Sequence, residues 1–242
     1  MMNLKNKTAF ITGGSKGIGY GIAEALLAQG VNVALTSRDA SRAEETLKKI
    51  QKTSDAKVKA YTLDVRDYKQ QQEVVAKVIA DFGAIDFVIA NAGIGHFADF
   101  ETLTPEQWQE TIDTNLSGVF YTAKACLESL KETQGYFISI SSLAGTNFFP
   151  TASAYNASKF GVTGFTQSMM LDVRKHGISV STIMPGSVST HFNGNNPEEK
   201  LEAEAWKIQK EDIGELVVDL FKMNKRALPS KIEIRPAQPP TK

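Results

Sequence analysis

Short apolar runs alternate along this chain with longer segments in which apolar residues recur at helical spacing. The first run covers residues 8–11 and leads into a glycine cluster, after which residues 18–28 show helical spacing that stops before Gly30. This order of strand, turn and helix recurs toward the C-terminus. Predicted strands cover residues 8–11, 31–36, 58–63, 87–90, 136–140, 178–184 and 231–235.

The segments between these strands predict helices. Predicted helices cover residues 18–28, 41–52, a region around 74–79, 105 to about 133, 153–176 and 212–221. Strands that alternate with helices form parallel sheets with right-handed crossovers and helices on both faces. We therefore expect an α/β fold with a doubly wound parallel sheet of about seven strands. Because no repeat or linker interrupts the pattern, residues 1–242 are expected to form one domain.

One polar segment departs from the alternation. Residues 187–210 contain the sequence Asn193-Gly194-Asn195-Asn196-Pro197, followed by a helical piece rich in Glu and Lys. Clusters of Asn, Gly and Pro are typical of loops. This segment is predicted to be a mobile lid over a substrate site.

Charge and composition narrow the class of partner. Lys plus Arg and Asp plus Glu both number 27, so the formal net charge is zero. Such a balance provides no basic field for nucleic acid or an anionic membrane surface, and small-molecule partners are expected. The three histidines, His96, His176 and His191, show no metal-ligand spacing, so no metal site is predicted.

Two further features bear on the compartment. Cys126 is the single cysteine, and its apolar helical neighbours indicate a packed thiol rather than a reactive one. The N-terminus runs directly into the first strand, and no apolar run approaches the roughly 18 residues of a membrane span. A cytoplasmic location is expected.

A serine, a tyrosine and a lysine near the fifth strand suggest acid–base chemistry. Tyr155 and Lys159 are four residues apart on one predicted helix, so they share a face, and the ammonium would favour the phenolate. Ser142 lies beside the end of the preceding strand and could hold a substrate oxygen. Ser141 is its rival, although strand alternation would point Ser141 the other way.

A glycine triple follows the first strand. Gly13 allows a tight turn, Gly17 lets the backbone approach a pyrophosphate, and Gly19 lets the next helix pack close to the strand. Helix N-termini at the carboxyl edge of a parallel sheet bind phosphate groups. The loop is predicted to bind a dinucleotide.

Taken together, these motifs resemble the short-chain dehydrogenase/reductase family. The resemblance rests on Thr12-Gly13-Gly14-Ser15-Lys16-Gly17-Ile18-Gly19, Asn91-Ala92-Gly93, Asn115, Ser142, Tyr155-Asn156-Ala157-Ser158-Lys159 and Pro185-Gly186, in this order over nearly the whole chain. It implies a nicotinamide-dependent oxidoreductase on a Rossmann-type fold. One departure is Ala90 before Asn91, where the family usually has two asparagines.

The resemblance also implies residue roles. Tyr155 would donate the proton in reduction, Lys159 would hold the nicotinamide ribose, and Ser142 would stabilise the developing oxyanion. Asn115, which on its own would be a kink or a polar surface residue, would hold a water that links the lysine to solvent. The expected cofactor-binding residues are Gly13, Ser15, Lys16, Gly17, Ile18, Gly19, Ser37, Arg38, Asp64, Val65, Asn91, Ala92, Gly93, Tyr155, Lys159, Pro185, Gly186, Val188 and Thr190.

Two of these assignments have alternatives. Asp64 would accept from the adenine amino group in the family, but an aspartate at this place can also cap a helix or a turn. Thr190 is placed where its hydroxyl could reach the nicotinamide carboxamide, and a purely structural role stays open.

The end of the second strand bears on cofactor choice. An NAD site has a carboxylate here for the ribose 2′-hydroxyl, whereas an arginine accommodates the 2′-phosphate of NADP. This chain has Ser37 followed by Arg38, with Lys16 in the glycine loop. Asp39 is the counter-evidence, and we interpret it as a residue at the start of a helix. NADP(H) is therefore expected, with NAD(H) as the less favoured cofactor.

The expected activity is NADP(H)-dependent interconversion of a carbonyl and a secondary alcohol. A 3-oxoacyl-[acyl-carrier-protein] reductase is the alternative, although those enzymes usually end in a Gly-rich tail and this chain ends in Ile232-Glu233-Ile234-Arg235-Pro236. A catalytically idle nucleotide-sensing regulator is the alternative of another class. The resemblance also implies a homo-oligomer, a tetramer or dimer. The substrate stays open, because the apolar candidates could line a pocket or pack elsewhere: Phe97, Phe148, Phe149, Met184, Phe192 and Trp206.

Overall fold

The structure is a computed structural model that describes residues 3–50 and 54–240. Its strands are β1 (Thr8–Ile11), β2 (Asn32–Ser37), β3 (Val58–Thr62), β4 (Phe87–Ala90), β5 (Tyr136–Ile140), β6 (Ser179–Pro185) and β7 (Lys231–Ile234). They form one seven-stranded sheet in the order β3-β2-β1-β4-β5-β6-β7. Every neighbouring pair is parallel. The predicted Rossmann-type doubly wound sheet is confirmed.

Helices cover both faces of this sheet. They are α1 (Gly17–Ala28), α2 (Ala40–Ile50), α3 (Tyr68–Phe82), α4 (Pro105–Ile112), α5 (Gly118–Thr133), α6 (Ser153–Val173), α7 (Leu201–Glu204) and α8 (Lys210–Lys222). Successive residues of β1 alternate between two cores. Ile11 packs in a cluster with residues of α1 and α8, whereas Phe10 packs with residues of α3, α5 and α6. This alternation follows from the two-residue period of a strand.

The long helical region predicted from residue 105 to about 133 is helical throughout, but it is not one regular α-helix. A π-helical turn, Asp113–Ser117, separates α4 from α5. Thr104 caps the start of α4 by accepting a hydrogen bond from the Gln107 N–H. Single π turns inside α-helices occur frequently at functional sites, and this one carries Asn115.

Other boundaries move by one to three residues. The second strand begins at Asn32 and ends at Ser37, so Ser37 belongs to the strand and is buried. The predicted helix over residues 153–176 is α-helical only to Val173, and its last turn, Arg174–His176, is a 3₁₀ helix. Residues 51 and 52 of the predicted helix 41–52 lie outside the described residues.

The polar segment 187–210 is more structured than its composition indicates. Two 3₁₀ turns and α7 follow one another within it. A parallel bridge between Val188 and Ile208 joins its two ends. Glu204 is 6% exposed and accepts hydrogen bonds from Ser189 Oγ at 2.7 Å and Lys207 Nζ at 2.6 Å. These partners, led by Lys207, lower the pKa of Glu204 to about 2.

Three further observations concern the rest of the described residues. Cys126 is buried, and burial raises its pKa above the usual range of a thiol. Among residues 3–50 and 54–240, no helix has the length and apolar character needed to cross a membrane. The same residues hold no cluster of His, Cys, Asp and Glu side chains that could bind a metal ion.

Candidate active site

The glycine loop between β1 and α1 lies against the loop that follows β4. Gly13 has φ of 64°, and a Cβ there would lie 2.9 Å from Ala92 Cα. Asn91 holds the glycine loop, because its Nδ2 donates to the carbonyl oxygens of Thr12 and Gly13 at 3.0 Å each. A Cβ on Gly19 would lie 2.5 Å from that Nδ2. The absence of a side chain at Gly19 therefore leaves room for Asn91, which fixes the loop.

The start of α1 offers backbone donors to an anion. Its N-cap residue, Lys16, has an extended backbone, and its side chain makes no capping hydrogen bond. The first N–H groups of a helix have no intrahelical acceptor, and the helix dipole is positive there. Gly17, with φ of 56°, follows directly and packs against Thr190. A phosphate group fits this end of the helix.

Tyr155 and Lys159 lie one turn apart on α6, on the side that faces β5. Lys159 is 5% exposed, and its Nζ donates to the Ile140 carbonyl oxygen at 2.9 Å. The ammonium lies 5.6 Å from the centroid of the Tyr155 ring. Ser142 begins the 3₁₀ turn after β5, and its Oγ accepts from the Ala144 N–H at 3.1 Å. The structure thus brings the tyrosine, lysine and serine together.

Burial sets the acid–base properties of this group. It raises the pKa of Tyr155 to about 12, while a hydrogen bond with Ser142 acts in the opposite direction. Burial also lowers the pKa of Lys159 to about 8. We expected the neighbouring cation to favour the phenolate. In this structure desolvation is the larger effect on Tyr155, because a buried phenolate loses the hydration that would stabilise its charge.

Ser141 and Ser142 have different environments. Ser141 Oγ donates to the Lys159 carbonyl oxygen at 3.0 Å and lies 2.9 Å from Thr163 Oγ1, so it is engaged with α6. Ser142 interacts with its own turn and with Tyr155. Only the Ser142 hydroxyl is therefore arranged beside the phenol.

Asn115 is fully buried and connects the π turn to two other segments. Its Oδ1 accepts from the Ile94 N–H at 2.8 Å, and its Nδ2 donates to the Ile94 carbonyl oxygen at 2.9 Å. Nδ2 also donates to Ser158 Oγ at 3.0 Å, and that hydroxyl donates to the Tyr155 carbonyl oxygen at 2.8 Å. Asn115 thus links the loop after β4 to the helix that carries Tyr155.

Three cations gather at the end of β2. Burial lowers the pKa of Lys16, and the charges of Arg42 and Arg38 lower it further. Arg38 Nη1 lies 3.8 Å from Glu110 Oε1, and Arg42 Nη2 lies 3.7 Å from Asp39 Oδ2. Both contacts are long and exposed, so the guanidinium groups remain available to a stronger anion. The sequence analysis did not assign Arg42, which reaches this group from the first turn of α2.

Ser37 and Asp39, which follow one another closely at the end of β2, both make hydrogen bonds beside these cations. Ser37 Oγ accepts from the Asp39 N–H at 3.2 Å and from Ser15 Oγ at 3.3 Å. The Asp39 carboxylate accepts from Ser41 Oγ at 2.7 Å and from the Arg42 N–H at 3.1 Å. Those contacts place Asp39 at the start of α2 as a capping residue.

Asp64 does not line the cleft, whereas Val65 does. The Asp64 carboxylate pairs with Arg66. Arg66 Nη2 donates to Asp64 Oδ2 at 2.6 Å, and Arg66 Nε is 3.0 Å from both carboxylate oxygens. The hydrogen bond from Arg66 lowers the pKa of Asp64. These contacts support a structural role for Asp64. An adenine amino group would have to share the carboxylate with Arg66.

The loop after β6 closes the far side of the cleft. The Gly186 N–H donates to the Ile234 carbonyl oxygen at 2.8 Å, which anchors the Pro185-Gly186 turn to β7. Thr190 Oγ1 accepts from the Phe192 N–H at 3.3 Å. Val188, Thr190 and the turn all face the cleft.

All these elements border one cleft of about 500 Å³. Of the expected residues, Gly19, Asp64 and Asn115 lie outside its lining. The expected residues that line it are Gly13, Ser15, Lys16, Gly17, Ile18, Ser37, Arg38, Val65, Asn91, Ala92, Gly93, Ser142, Tyr155, Lys159, Pro185, Gly186, Val188 and Thr190. Lining residues that the sequence analysis did not assign to the site include Thr36, Asp39, Arg42, Leu63, Ile94, Thr114, Ile140 and His191.

The six aromatic and apolar candidates separate in space. Phe192 lines the cleft. Phe97 packs against Tyr155, and Phe149 packs against Phe97. Met184 is fully buried in β6. Phe148 stacks on Phe160 outside the cleft lining, and Trp206 lies beside Lys207.

Comparison with known proteins agrees with this geometry. The family model described as short chain dehydrogenase matches residues 7–201. An uncharacterized oxidoreductase of Staphylococcus saprophyticus is 34% identical over 241 residues, covering 98% of this chain and 100% of that protein. A 3-oxoacyl-[acyl-carrier-protein] reductase of Escherichia coli is 35% identical over 190 residues, covering 78% of this chain and 76% of that protein.

A solved structure is also similar over nearly its whole length. The alcohol dehydrogenase of the archaeon Thermococcus sibiricus, complexed with 5-hydroxy-NADP, superposes with a TM-score of 0.88 at 32% identity, covering 98% of this chain and 99% of that one. The fold of this chain is therefore shared with a known dehydrogenase over nearly its whole length. The chain belongs to the short-chain dehydrogenase/reductase family of oxidoreductases.

Proposed function

We propose that this oxidoreductase interconverts a carbonyl group and a secondary alcohol with NADP(H) as the hydride carrier. The observation that carries the proposal is that one cleft is lined both by Tyr155, Lys159 and Ser142 and by the start of α1, whose unpaired N–H groups can bind a phosphate. When bound, the nicotinamide supplies the hydride to the carbonyl carbon in reduction. The residues of the chain then have to bind, orient and protonate the substrate.

Each residue of the catalytic group has a separate task. Ser142 holds the carbonyl oxygen, and Tyr155 donates its hydroxyl proton to that oxygen, so the C=O group becomes C–OH. Lys159 keeps a positive charge beside the phenol and stabilises the phenolate that remains. Proton uptake from solvent then restores Tyr155. Asn115 acts through position, because it ties the loop after β4 to the backbone of Tyr155 through Ser158.

The three cations at the end of β2 support NADP(H) over NAD(H). A ribose 2′-phosphate beside Lys16, Arg38 and Arg42 would gain charge-assisted hydrogen bonds. Asp39, the carboxylate nearest in sequence, is engaged with α2. The similar alcohol dehydrogenase was solved with a 5-hydroxy-NADP ligand, which agrees with this preference.

A 3-oxoacyl-[acyl-carrier-protein] reductase is the second candidate, and the 35% identity to the E. coli enzyme favours it. A screen of NADPH oxidation over simple ketones, diketones, pterins and 3-oxoacyl thioesters separates the candidates. Turnover of thioesters alone would favour the carrier-protein reductase. Cofactor binding without turnover of any carbonyl would instead indicate a nucleotide-sensing regulator.

The expected homo-oligomer stays a prediction. Phe120 and Leu171 on the long helices α5 and α6 are 46% and 54% exposed, which makes them candidate contact residues. Sedimentation of the native chain measures the number of subunits, and a monomer would contradict the prediction.

Replacement of Tyr155 tests the mechanism. Tyr155→Phe removes the exchangeable proton but keeps the ring, so NADPH should still bind while turnover is lost. Ser142→Ala removes one oxyanion donor and should lower kcat by about 10²–10³-fold. Cofactor binding and kcat are measured separately, by fluorescence titration and steady-state kinetics. The matched control is Ser141→Ala, whose hydroxyl is bound to α6, and it should retain far more activity than Ser142→Ala. Near-normal kcat in Tyr155→Phe would refute the proposed proton donor.

The pH dependence follows from the two shifted pKa values. Reduction requires a protonated Tyr155 and a protonated Lys159. With a pKa of about 12, the phenol stays protonated throughout the assay range. With a pKa of about 8, the ammonium is present below that pH and is lost as the pH rises through it. The kcat/KM for carbonyl reduction should therefore be level below about pH 7 and fall about tenfold per unit above about pH 9.

A level profile up to about pH 10 would contradict this assignment. Lys159→Arg serves as the control, because a guanidinium keeps its charge to far higher pH. Its activity relative to its own maximum should no longer fall in the alkaline range, whatever the absolute rate.

Two substitutions at the end of β2 test the cofactor preference. The wild type should favour NADPH over NADH by at least about tenfold in kcat/KM, because each charge-assisted contact to the 2′-phosphate exceeds a neutral one. Ser37→Asp combined with Arg38→Ile should lose most of that preference. Arg174→Ile, which removes an arginine from the 3₁₀ turn after α6, is the matched control and should leave the ratio unchanged. A wild type that uses both cofactors equally well would show that the β2 end does not discriminate.

We further propose that residues 187–210 act as a lid. The Val188–Ile208 bridge and the contacts of Glu204 make the segment a closed unit that can move as one body. Hydrogen exchange should show residues 191–200 becoming protected when NADP⁺ and a ketone are added, while the amides of Ser189 and Ile208 stay protected throughout. Strong and equal protection of residues 191–200 in both states would rule out a lid.

A further inference from the structure

Phe97 and Phe192 pack against the ring of Tyr155, and Phe149 packs against Phe97; we call Phe97, Phe149 and Phe192 the aromatic wall. The Phe97 ring centroid lies 5.3 Å from that of Tyr155 and 6.3 Å from that of Phe192. Phe192 in turn lies 5.7 Å from Tyr155, and Phe149 lies 6.2 Å from Phe97. These rings come from the loops after β4, β5 and β6. Two of these segments contact the proton donor directly, and the third contacts it through Phe97.

The absence of a side chain at Gly95 makes room for the aromatic wall. A Cβ on Gly95 would lie 2.6 Å from Phe97 Cε2 and 2.9 Å from Phe192 Cζ. Any residue with a Cβ would therefore displace both rings. The contacts involve the far ends of the two rings, which can shift, so the substitution would change the shape of the site more than the stability of the fold.

Phe192 makes the aromatic wall accessible from the cleft. It is 36% exposed and lines the cleft together with Tyr155 and Ser142. Phe97 and Phe149 lie outside the cleft lining, and Phe97 contacts Phe192 with centroids 6.3 Å apart. A substrate whose carbonyl oxygen meets Ser142 and Tyr155 therefore has its neighbouring group beside the Phe192 ring.

Charge is distributed unevenly along the same cleft. Lys16, Arg38 and Arg42 lie near the end of β2, which is three strands from β5 in the sheet. At the usual strand spacing that separation is about 14 Å. Among the described cleft residues, Lys159 is the one lysine or arginine on the α6 side, and its Nζ already donates to Ile140. A substrate carboxylate or phosphate beside Tyr155 would lose hydration without a matched cation.

We propose that the aromatic wall selects uncharged carbonyl compounds that carry an aryl ring next to the carbonyl carbon. This rests on the proposed oxidoreductase function and names the substrate class of the same site. The aryl ring lies against Phe192, which Phe97 supports from behind. Aromatic pairs in offset or edge contact add binding beyond the area they bury.

The test compares three substrates of matched size. Acetophenone is the uncharged aryl ketone, methyl hexyl ketone lacks the ring, and phenylglyoxylate adds a carboxylate to the ring. The wild type should prefer acetophenone over the other two by at least about tenfold in kcat/KM. Phe192→Leu should reduce the preference for acetophenone over methyl hexyl ketone by about 3- to 10-fold, mainly through KM. Gly95→Ala should raise KM for acetophenone without a change in Tm.

Phe148→Leu is the matched control. Phe148 is 81% exposed and stacks on Phe160 with centroids 4.9 Å apart, outside the aromatic wall. Its substitution should leave all three kcat/KM values unchanged. Equal effects of Phe192→Leu and Phe148→Leu would overturn the proposal. So would equal use of phenylglyoxylate and acetophenone, which would mean that Lys159 or His191 serves a substrate anion.

A binding measurement separates this inference from the proposed function. Calorimetric titration of acetophenone into the protein with NADP⁺ measures binding at the aromatic wall in the absence of turnover. If no carbonyl is reduced but Phe192→Leu still weakens acetophenone binding by about 3- to 10-fold, the oxidoreductase proposal fails and the aromatic wall stands. If carbonyls are reduced and Phe192→Leu leaves acetophenone binding unchanged, the aromatic wall fails and the oxidoreductase proposal stands.

Discussion

The buried ammonium of Lys159 is the constraint around which this structure is arranged. An ammonium inside a protein must find acceptors, and here the last carbonyl of β5, at Ile140, provides one at 2.9 Å. That contact fixes α6 against the end of the strand and therefore fixes the position of Tyr155. The same desolvation that makes the lysine costly to bury also brings its pKa down to about 8. The burial of Lys159 thus accounts both for the position of Tyr155 and for the lowered pKa of the lysine.

Much of this arrangement follows from local patterns in the sequence. The two-residue period of the strands and the glycine loop predict a parallel sheet with its ligand edge at the strand carboxyl ends. Tyr155 and Lys159 share a helix face because they are one turn apart. These features depend on residues close together in sequence, so periodicity and spacing are sufficient to find them. For the same reason, the fold class was predicted in full and most strand ends to within one residue.

Features that depend on residues far apart in the sequence could not be predicted from periodicity and spacing. Arg42 joins Lys16 and Arg38 only because α2 packs beside the glycine loop. Phe97, Phe149 and Phe192 come from three loops whose meeting point is set by the whole sheet. Glu204 belongs to the helical piece rich in Glu and Lys, yet its side chain is buried among its partners. The sign of the Tyr155 pKa shift was also missed, since the loss of hydration depends on how loops close over the ring and not on the spacing to Lys159.

The π turn at Asp113–Ser117 has a consequence for any comparison or redesign of this helical region. A π turn contains one more residue per turn than an α-helix, and one extra residue rotates everything beyond it by about 100°. Helix α4 consequently packs against α6, whereas α5 packs against α3. A heptad or amphipathic pattern laid across residues 105–133 as one straight helix would assign the apolar positions of α5 to the wrong face. Transplanting the region into another scaffold therefore requires that the irregular turn be kept as a unit, with its full number of residues.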